Sequence, residues 1–150
     1  RRRAVWEAML TQRSRYALRA LLVIAKAGDV APLPTSTIAA EANVPRKFLE
    51  LILTDLKTAG MITSYRGKAG GFRLAKAAHL ISFGDIIRTI EGPLALVPCV
   101  SRTAYQRCKD CKDEASCAIR RAMLIVRDDT ARILDGTSLA DAIAEDREAA

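Results

Sequence analysis

Pro45-Arg46-Lys47-Phe48-Leu49-Glu50-Leu51-Ile52-Leu53-Thr54-Asp55-Leu56-Lys57-Thr58-Ala59-Gly60 is the run of residues on which the fold turns. Phe48, Leu49, Ile52, Leu53 and Leu56 recur at i, i+1, i+4, i+5 and i+8, the pattern of one buried helix face. Arg46, Lys47, Glu50, Thr54 and Lys57 occupy the opposite face. Proline suits the first helical turn, where its missing N–H would have had no partner, and Gly60 closes the helix after Ala59. Just upstream, Asn43-Val44 reads as a tight turn, and Thr35-Ser36 offers an N-cap to a short helix reaching Ala42, with Ile38 and Ala39 inward. Two helices joined so tightly make a helix–turn–helix, with Arg46 and Lys47 at the leading end of the second.

Gln12 to Ala27 reads as a helix whose Tyr16, Leu18, Leu21, Leu22, Val23 and Ile24 leave little polar face, so it is expected to be central and buried. Gly28-Asp29 ends it, and a proline-bearing loop covers Val30 to Pro34. After the helix–turn–helix the pattern becomes β: Met61 to Tyr65 and Phe72-Arg73-Leu74 flank the turn Arg66-Gly67-Lys68-Ala69-Gly70-Gly71. A helix follows from its cap Ser82 to Glu91, stopped by Gly92-Pro93. Residues 99–117 are polar and aperiodic and read as a loop. From Cys117 a long helix runs to Asp135, with Ile119, Met123, Val126, Thr130 and Ile133 spaced 4, 3, 4, 3 as in a coiled-coil seam. Thr137-Ser138 caps a last amphipathic stretch, Leu139 to Ile143, and the acidic tail is expected to fray.

The expected architecture is therefore mainly α: a winged helix–turn–helix with a small β-hairpin wing and a long C-terminal dimerisation helix. Residues 1–8 read as an N-terminal extension or cloning remnant, 9–80 as the winged-helix domain, 81–143 as the cysteine loop and dimerisation helices, and 144–150 as a frayed tail. Half of the 150 residues are apolar but only 5% are aromatic, in keeping with an aliphatic, helical core. No run approaches the ~20 apolar residues of a membrane-spanning helix, and Arg1-Arg2-Arg3-Ala4-Val5-Trp6 has no apolar segment behind it that would make a secretory signal. A cytoplasmic location is the expectation.

Charge is distributed unevenly. Residues 1–77 carry 14 Lys and Arg against 5 Asp and Glu, whereas residues 78–150 carry 10 against 12, within a total of +7. A basic head and a near-neutral remainder point to a polyanionic partner for the head. Arginine can read guanine bidentately and a carboxylate can accept from cytosine, so Pro45, Arg46, Lys47 and Glu50 are candidate contacts to double-stranded DNA. Arg66, Lys68 and Arg73 place cations on or beside the glycine-rich turn, where they can reach phosphates or the minor groove. No Gly-Lys-Ser/Thr follows that turn and no helix begins there, which excludes a nucleotide-cradling loop. One histidine, His79, cannot furnish a catalytic triad, so no enzyme and no small-molecule substrate are expected. Asp128 and Asp129 read as surface ion-pair partners.

Cys99, Cys108, Cys111 and Cys117 form a C-x8-C-x2-C-x5-C array. In a reducing cytosol such clustering reads as a metal or redox site rather than as disulfides. Thiolates are soft ligands for an iron–sulfur cluster, zinc or copper(I). Arg107, Lys109, Lys112 and Arg120 are expected to lower the thiol pKa values. The ferredoxin-type C-x2-C-x2-C run is absent, which disfavours an electron carrier.

Tyr16-Ala17-Leu18-Arg19, Phe48-Leu49-Glu50, Leu56-Lys57-Thr58-Ala59-Gly60-Met61-Ile62, the wing Arg66-Gly67-Lys68-Ala69-Gly70-Gly71-Phe72-Arg73-Leu74-Ala75 and Ile87-Arg88-Thr89-Ile90-Glu91-Gly92, in that order, closely resemble the Rrf-two family of winged-helix transcription regulators, which includes iron–sulfur sensors of the IscR, NsrR and RirA type. The resemblance covers roughly residues 9–143. It implies a homodimer with crossing long helices and one winged helix per DNA half-site. Recognition-helix contacts carry over to Pro45, Arg46, Lys47 and Glu50, and wing contacts to Arg66 and Lys68. A 2Fe–2S or 4Fe–4S cluster is implied on Cys99, Cys111 and Cys117, with Cys108 as fourth ligand or resolving thiol. Arg120 stands where some relatives place a histidine ligand, and Arg15 where others supply an acid from the partner subunit. The expected function is repression or activation governed by iron, redox state or nitric oxide. A zinc-filled or thiol-switch regulator is the alternative.

Overall fold

The computed structural model describes residues 10–150, so the expected extension at 1–8 lies outside the described residues. Among the described residues, six α-helices and a two-stranded hairpin make up the fold: α1 (Gln12–Ala27), α2 (Thr35–Ala42), α3 (Arg46–Thr58), β1 (Ile62–Tyr65), β2 (Gly71–Leu74), α4 (Phe83–Glu91), α5 (Ala118–Asp135) and α6 (Leu139–Ala149). Thr11 caps α1 by accepting from the Ser14 amide at 3.2 Å, and Gly28 ends it at positive φ. Ala17, Leu18, Ala20, Leu21 and Ile24 of α1 are buried, and α2, α3, α4, α6 and β2 all pack around this helix. It is the central element its sequence predicts.

In α2 the expected Thr35-Ser36 cap is corrected. The helix already begins at Thr35, and Pro34 holds the cap position with no side-chain hydrogen bond. Asn43 then turns the chain in the left-handed region at φ 52°, which its short polar side chain tolerates. Pro45 precedes α3, and its carbonyl accepts from the Phe48 and Leu49 amides, each at 3.0 Å. Leu49, Ile52, Leu53 and Leu56 are buried as expected. Phe48 is not: it is 56% exposed and lies tilted beside Tyr16 with ring centroids 6.5 Å apart, at the rim of the α1–α3 contact. The five-residue apolar face thus narrows to four.

β1 and β2 pair antiparallel, with Ile62 opposite Leu74 and Tyr65 opposite Gly71. Leu33 adds a bridge to Phe72 on the outer side through reciprocal hydrogen bonds of 2.9 and 2.8 Å. Gly71 permits this approach. It sits at φ 152°, and a Cβ there would lie 2.1 Å from the Leu33 carbonyl oxygen.

Ser82 caps α4 through the Asp85 amide at 3.0 Å. The start of α4 is laced to the start of α6, because Phe83 N donates to Thr137 O at 2.9 Å and Leu139 N to Ile81 O at 3.0 Å. Ile81, Ile86 and Leu139 consequently share one hydrophobic cluster with α1 and α3, and the core continues across the expected division at residue 80. The tail expected to fray from 144 is helical through Ala149. A reciprocal capping box between Ser138 and Asp141 starts that helix, and Lys26 pairs with Asp146 at 2.7 Å to hold it to α1. By contrast, α5 has no buried residue, and Ile119, Ile125, Val126 and Ile133 are exposed along it.

Candidate nucleic-acid interface and cysteine loop

The α2–turn–α3 geometry sets the leading end of α3 outward. Pro45, Arg46, Lys47 and Glu50 are all exposed there, as are Arg66 and Lys68 on the wing. Arg46 lines a cleft of about 260 Å³ together with Thr35 and Ser36 at the start of α2 and Tyr65, Gly67 and Gly70 of the hairpin. The recognition helix and the wing turn therefore border one surface, as the sequence requires of a duplex-binding head. Arg46 Nε also pairs with Glu50 Oε1 one turn on, at 3.2 Å. Arg73, the third wing cation, is used inside the fold: it donates to the Val30 carbonyl at 3.4 Å and lies 5.2 Å from the centre of the Tyr65 ring. That braces the hairpin and withdraws Arg73 from the set of free cations.

The cysteine loop joins α4 to α5. Cys99 is buried in a 3-10 turn at Pro98–Val100, and Cys108, Cys111 and Cys117 are half-buried. Cys111 N donates to Cys108 O at 3.1 Å, and the Arg107 guanidinium donates to the Cys111 and Lys112 carbonyls at 3.3 and 3.2 Å. The Asp113 carboxylate accepts from the Ala115 and Ser116 amides at 3.2 and 3.1 Å. Cys117 ends the loop as the N-cap of α5, its sulfur accepting from the Arg120 amide at 3.4 Å. That places a thiol at the positive end of the α5 dipole.

Cys108 departs from the expected effect of the surrounding cations. Its thiol is pushed above the ordinary 9.0, first by hydrogen bonding with the Cys99 thiol, then by burial and by the charges of Cys99, Asp110 and Cys111. Among the described residues, no three His, Cys, Asp or Glu side chains converge into a group able to hold a metal ion. The donor chemistry suits a soft metal or cluster: three half-buried thiols, one buried thiol and a cationic surround. In the geometry present here, Cys117 serves the helix cap.

Three side-chain tethers link α1, α4, the loop and the long helix, and no local pattern announces their partners. Glu91, the acid of the Ile87–Gly92 motif, accepts from the Thr11 amide at 2.6 Å and so holds the start of α1. Burial pushes its carboxyl up, but the Ser14 side chain and the Thr11 hydroxyl and amide outweigh this and leave it below the ordinary 4.5. Arg127 of α5, 14% exposed, donates to the Val100 carbonyl at 2.6 Å, next to Cys99. Arg88 of α4 forks onto Asp135 at the end of α5 with bonds of 2.6 and 2.8 Å. Glu91 and Arg88 both stand in the Ile87–Gly92 motif, Arg127 in none. Arg88 and Arg127 look like any surface arginine until the fold supplies their partners. His79 is exposed on a 3-10 turn, and Asp128 and Asp129 pair with arginines at the surface, as expected.

Comparison with known proteins agrees with this geometry. The family profile described as Rrf2, iron-dependent transcriptional regulator, matches residues 10–145. An rrf2-like HTH-type transcriptional regulator of Rhodobacter capsulatus is 41% identical over 145 residues, covering 95% of this chain and 97% of its own. CymR (YrzC), the global cysteine regulator of B. subtilis, superposes with a TM-score of 0.74 at 30% identity, over 90% of this chain and 95% of its own. IscR of T. potens shares the fold with a TM-score of 0.73 at 24% identity, over 93% of this chain and 88% of its own. The R. capsulatus relative is a transcriptional regulator by its name, and the family profile is that of transcriptional regulators, not enzymes. Among the described residues no helix is long and apolar enough to cross a membrane. With the profile spanning nearly the whole chain and a relative 41% identical along it, this protein belongs to the Rrf2 family of winged-helix, DNA-binding transcriptional regulators.

Proposed function

We propose that this chain is a cytoplasmic, homodimeric regulator that holds an iron–sulfur cluster on its cysteine loop and changes operator affinity with the state of that loop. The observation that carries the reading is the bracketing of the loop. Its entry is tied to α1 by Glu91, and its buried Cys99 turn is tied to α5 by Arg127. A change in the loop therefore acts at once on the central helix of the head and on the helix whose exposed Ile119, Val126 and Ile133 suit a partner copy.

Cys99, Cys111 and Cys117 would hold the cluster, with Cys108 as fourth ligand; such a group, when bound, supplies sensitivity to iron supply, oxidants and nitric oxide. The chain's own residues do the rest. Arg107, Lys109, Lys112 and Arg120 would offset the charge of metal-bound sulfur, and Arg127 passes the position of the Cys99 turn to the long helix. On the head, Lys47, Arg66 and Lys68 would take phosphates, while Pro45, Arg46 and Glu50 face the groove.

A second reading rests on the closeness of Cys99 and Cys108. The two thiols would give two electrons and two protons to a peroxide, forming one disulfide and two waters, and the regulator would then be a thiol switch. A zinc-filled loop is the other form of this alternative. Anaerobic purification with iron, sulfide and zinc quantitation, an absorption spectrum and parallel operator titrations separates the three. Iron and sulfide in the sample, with operator affinity falling or rising as a chelator removes them, supports the cluster reading. Equal affinity with and without iron overturns it, and stoichiometric zinc favours the rival.

A further inference from the structure

Resting on α3 as the DNA-facing helix, we infer that Leu51 reads thymine through its 5-methyl group, so that an apolar contact forms part of the operator code. Leu51 is 63% exposed, one helical turn after Lys47 and three residues before Thr54, so it stands on the solvent face of α3 and not on the face of Leu49, Ile52 and Leu56. A single exposed leucine is ordinary on a protein surface. What distinguishes this one is the behaviour of the polar groups around it.

Arg46 and Glu50 are paired to each other at 3.2 Å, so each has spent part of its bonding capacity before any base arrives. The Thr54 hydroxyl donates to the Glu50 carbonyl and the Thr58 hydroxyl to the Thr54 carbonyl, both at 3.0 Å. Those hydroxyls are turned back on their own helix and are not offered as readers. The outward surface between Lys47 and Thr58 is therefore dominated by the Leu51 isobutyl group. Among base edges in the major groove, the thymine methyl is the one apolar group that rewards such a surface. Leu51 lies one turn from the exposed Lys47 on α3, and its other flank borders a groove with Tyr16, Phe48 and Asp55.

The test uses the full chain and a duplex that the chain itself selects from a random pool. Each thymine of that duplex is replaced in turn by deoxyuridine, which deletes only the methyl. Burying one methyl-sized group is worth about 0.8 kcal/mol, so one thymine per half-site should show roughly fourfold weaker binding on that replacement, at about 1.4 kcal/mol per decade. Leu51→Ala should bind the thymine and deoxyuridine duplexes alike, with an unchanged melting temperature because the side chain is exposed. Absence of any methyl-sensitive position with the wild-type chain, or a fourfold penalty that persists in Leu51→Ala, overturns the inference. Lys47→Ala separates this failure from that of the underlying reading: undiminished affinity there would show that α3 does not face DNA at all.

Discussion

Replacing Gly71 by alanine tests how the wing is held. At φ 152° an L-residue is strained, by about 1–3 kcal/mol for such backbone regions. The added Cβ would stand 2.1 Å from Leu33 O, 2.3 Å from Leu33 C and 2.7 Å from Pro34 N. All three are backbone atoms, so no side-chain rotation relieves the clash. The 30–34 loop must move by an ångström or so, and both Leu33–Phe72 hydrogen bonds, at 2.9 and 2.8 Å, break. At about 1 kcal/mol net for each bond, the total comes to about 3–5 kcal/mol, a large part of the stability of a domain this size. With a urea slope of about 2 kcal/mol per molar, the unfolding midpoint followed by circular dichroism should fall by about 2 M. Gly67→Ala is the matched control. Its φ of 100° carries a similar strain, but nothing lies within 4 Å of the added Cβ, so its midpoint should fall by about 1 M less than that of Gly71→Ala. Equal losses at the two positions would refute the argument that close approach, and not turn conformation, makes Gly71 indispensable.

Asp135 is held below its ordinary 3.8, first by the hydrogen bonds from Arg88, so it contributes stability above that pH and loses it as pH falls through the lower folded value. Asp135→Asn should melt lower at pH 7 and show a shallower acid decline than the wild type; parallel pH–Tm curves would count against the pair. Arg66→Ala and Lys68→Ala should each reduce the slope of log affinity against log salt by about 0.9 if each cation meets one phosphate; an unchanged slope in titrations at several salt concentrations would remove that residue from the interface. Val126→Asp places a carboxylate in the exposed α5 seam, and burying it against a partner copy would cost about 4 kcal/mol, roughly a thousandfold in dimer dissociation; sedimentation velocity should report a folded monomer, and an undisturbed dimer would exclude the seam. Cys111→Ala should abolish iron loading measured after anaerobic purification, and full loading in that variant would dismiss the assigned ligand set.

Helices with periodic apolar faces and explicit caps were legible from sequence almost to the residue. Gln12–Ala27, the Ser82-capped α4 and the Cys117-to-Asp135 helix follow from local rules, because each capping residue lies within four residues of the backbone group it bonds. Phe48 was misread because its angle on α3 borders the buried face, and only the position of Tyr16 on α1 decides that it stays outside. The last helix runs on to Ala149, where Lys26 of α1 meets Asp146 across 120 residues, a contact no local pattern announces.

The same distinction governs the site. Residues that would act on DNA are legible because they act from the surface of regular elements, and periodicity alone says which way a side chain of α3 faces. The cysteines are legible as a cluster in the chain but not as an arrangement in space. Four thiols on an aperiodic loop can be gathered or parted by backbone hydrogen bonds such as Arg107 to Cys111 O and Arg127 to Val100 O. Those bonds come from arginines that the charge count treats only as bulk positive charge. They also couple the loop to the fold, because a guanidinium that holds a carbonyl beside Cys99 fixes α5 and the thiol in one rigid relation. Charge near a thiol thus acts here through position: Arg127→Lys, which keeps the charge but not the guanidinium geometry, would loosen the Val100 carbonyl beside Cys99.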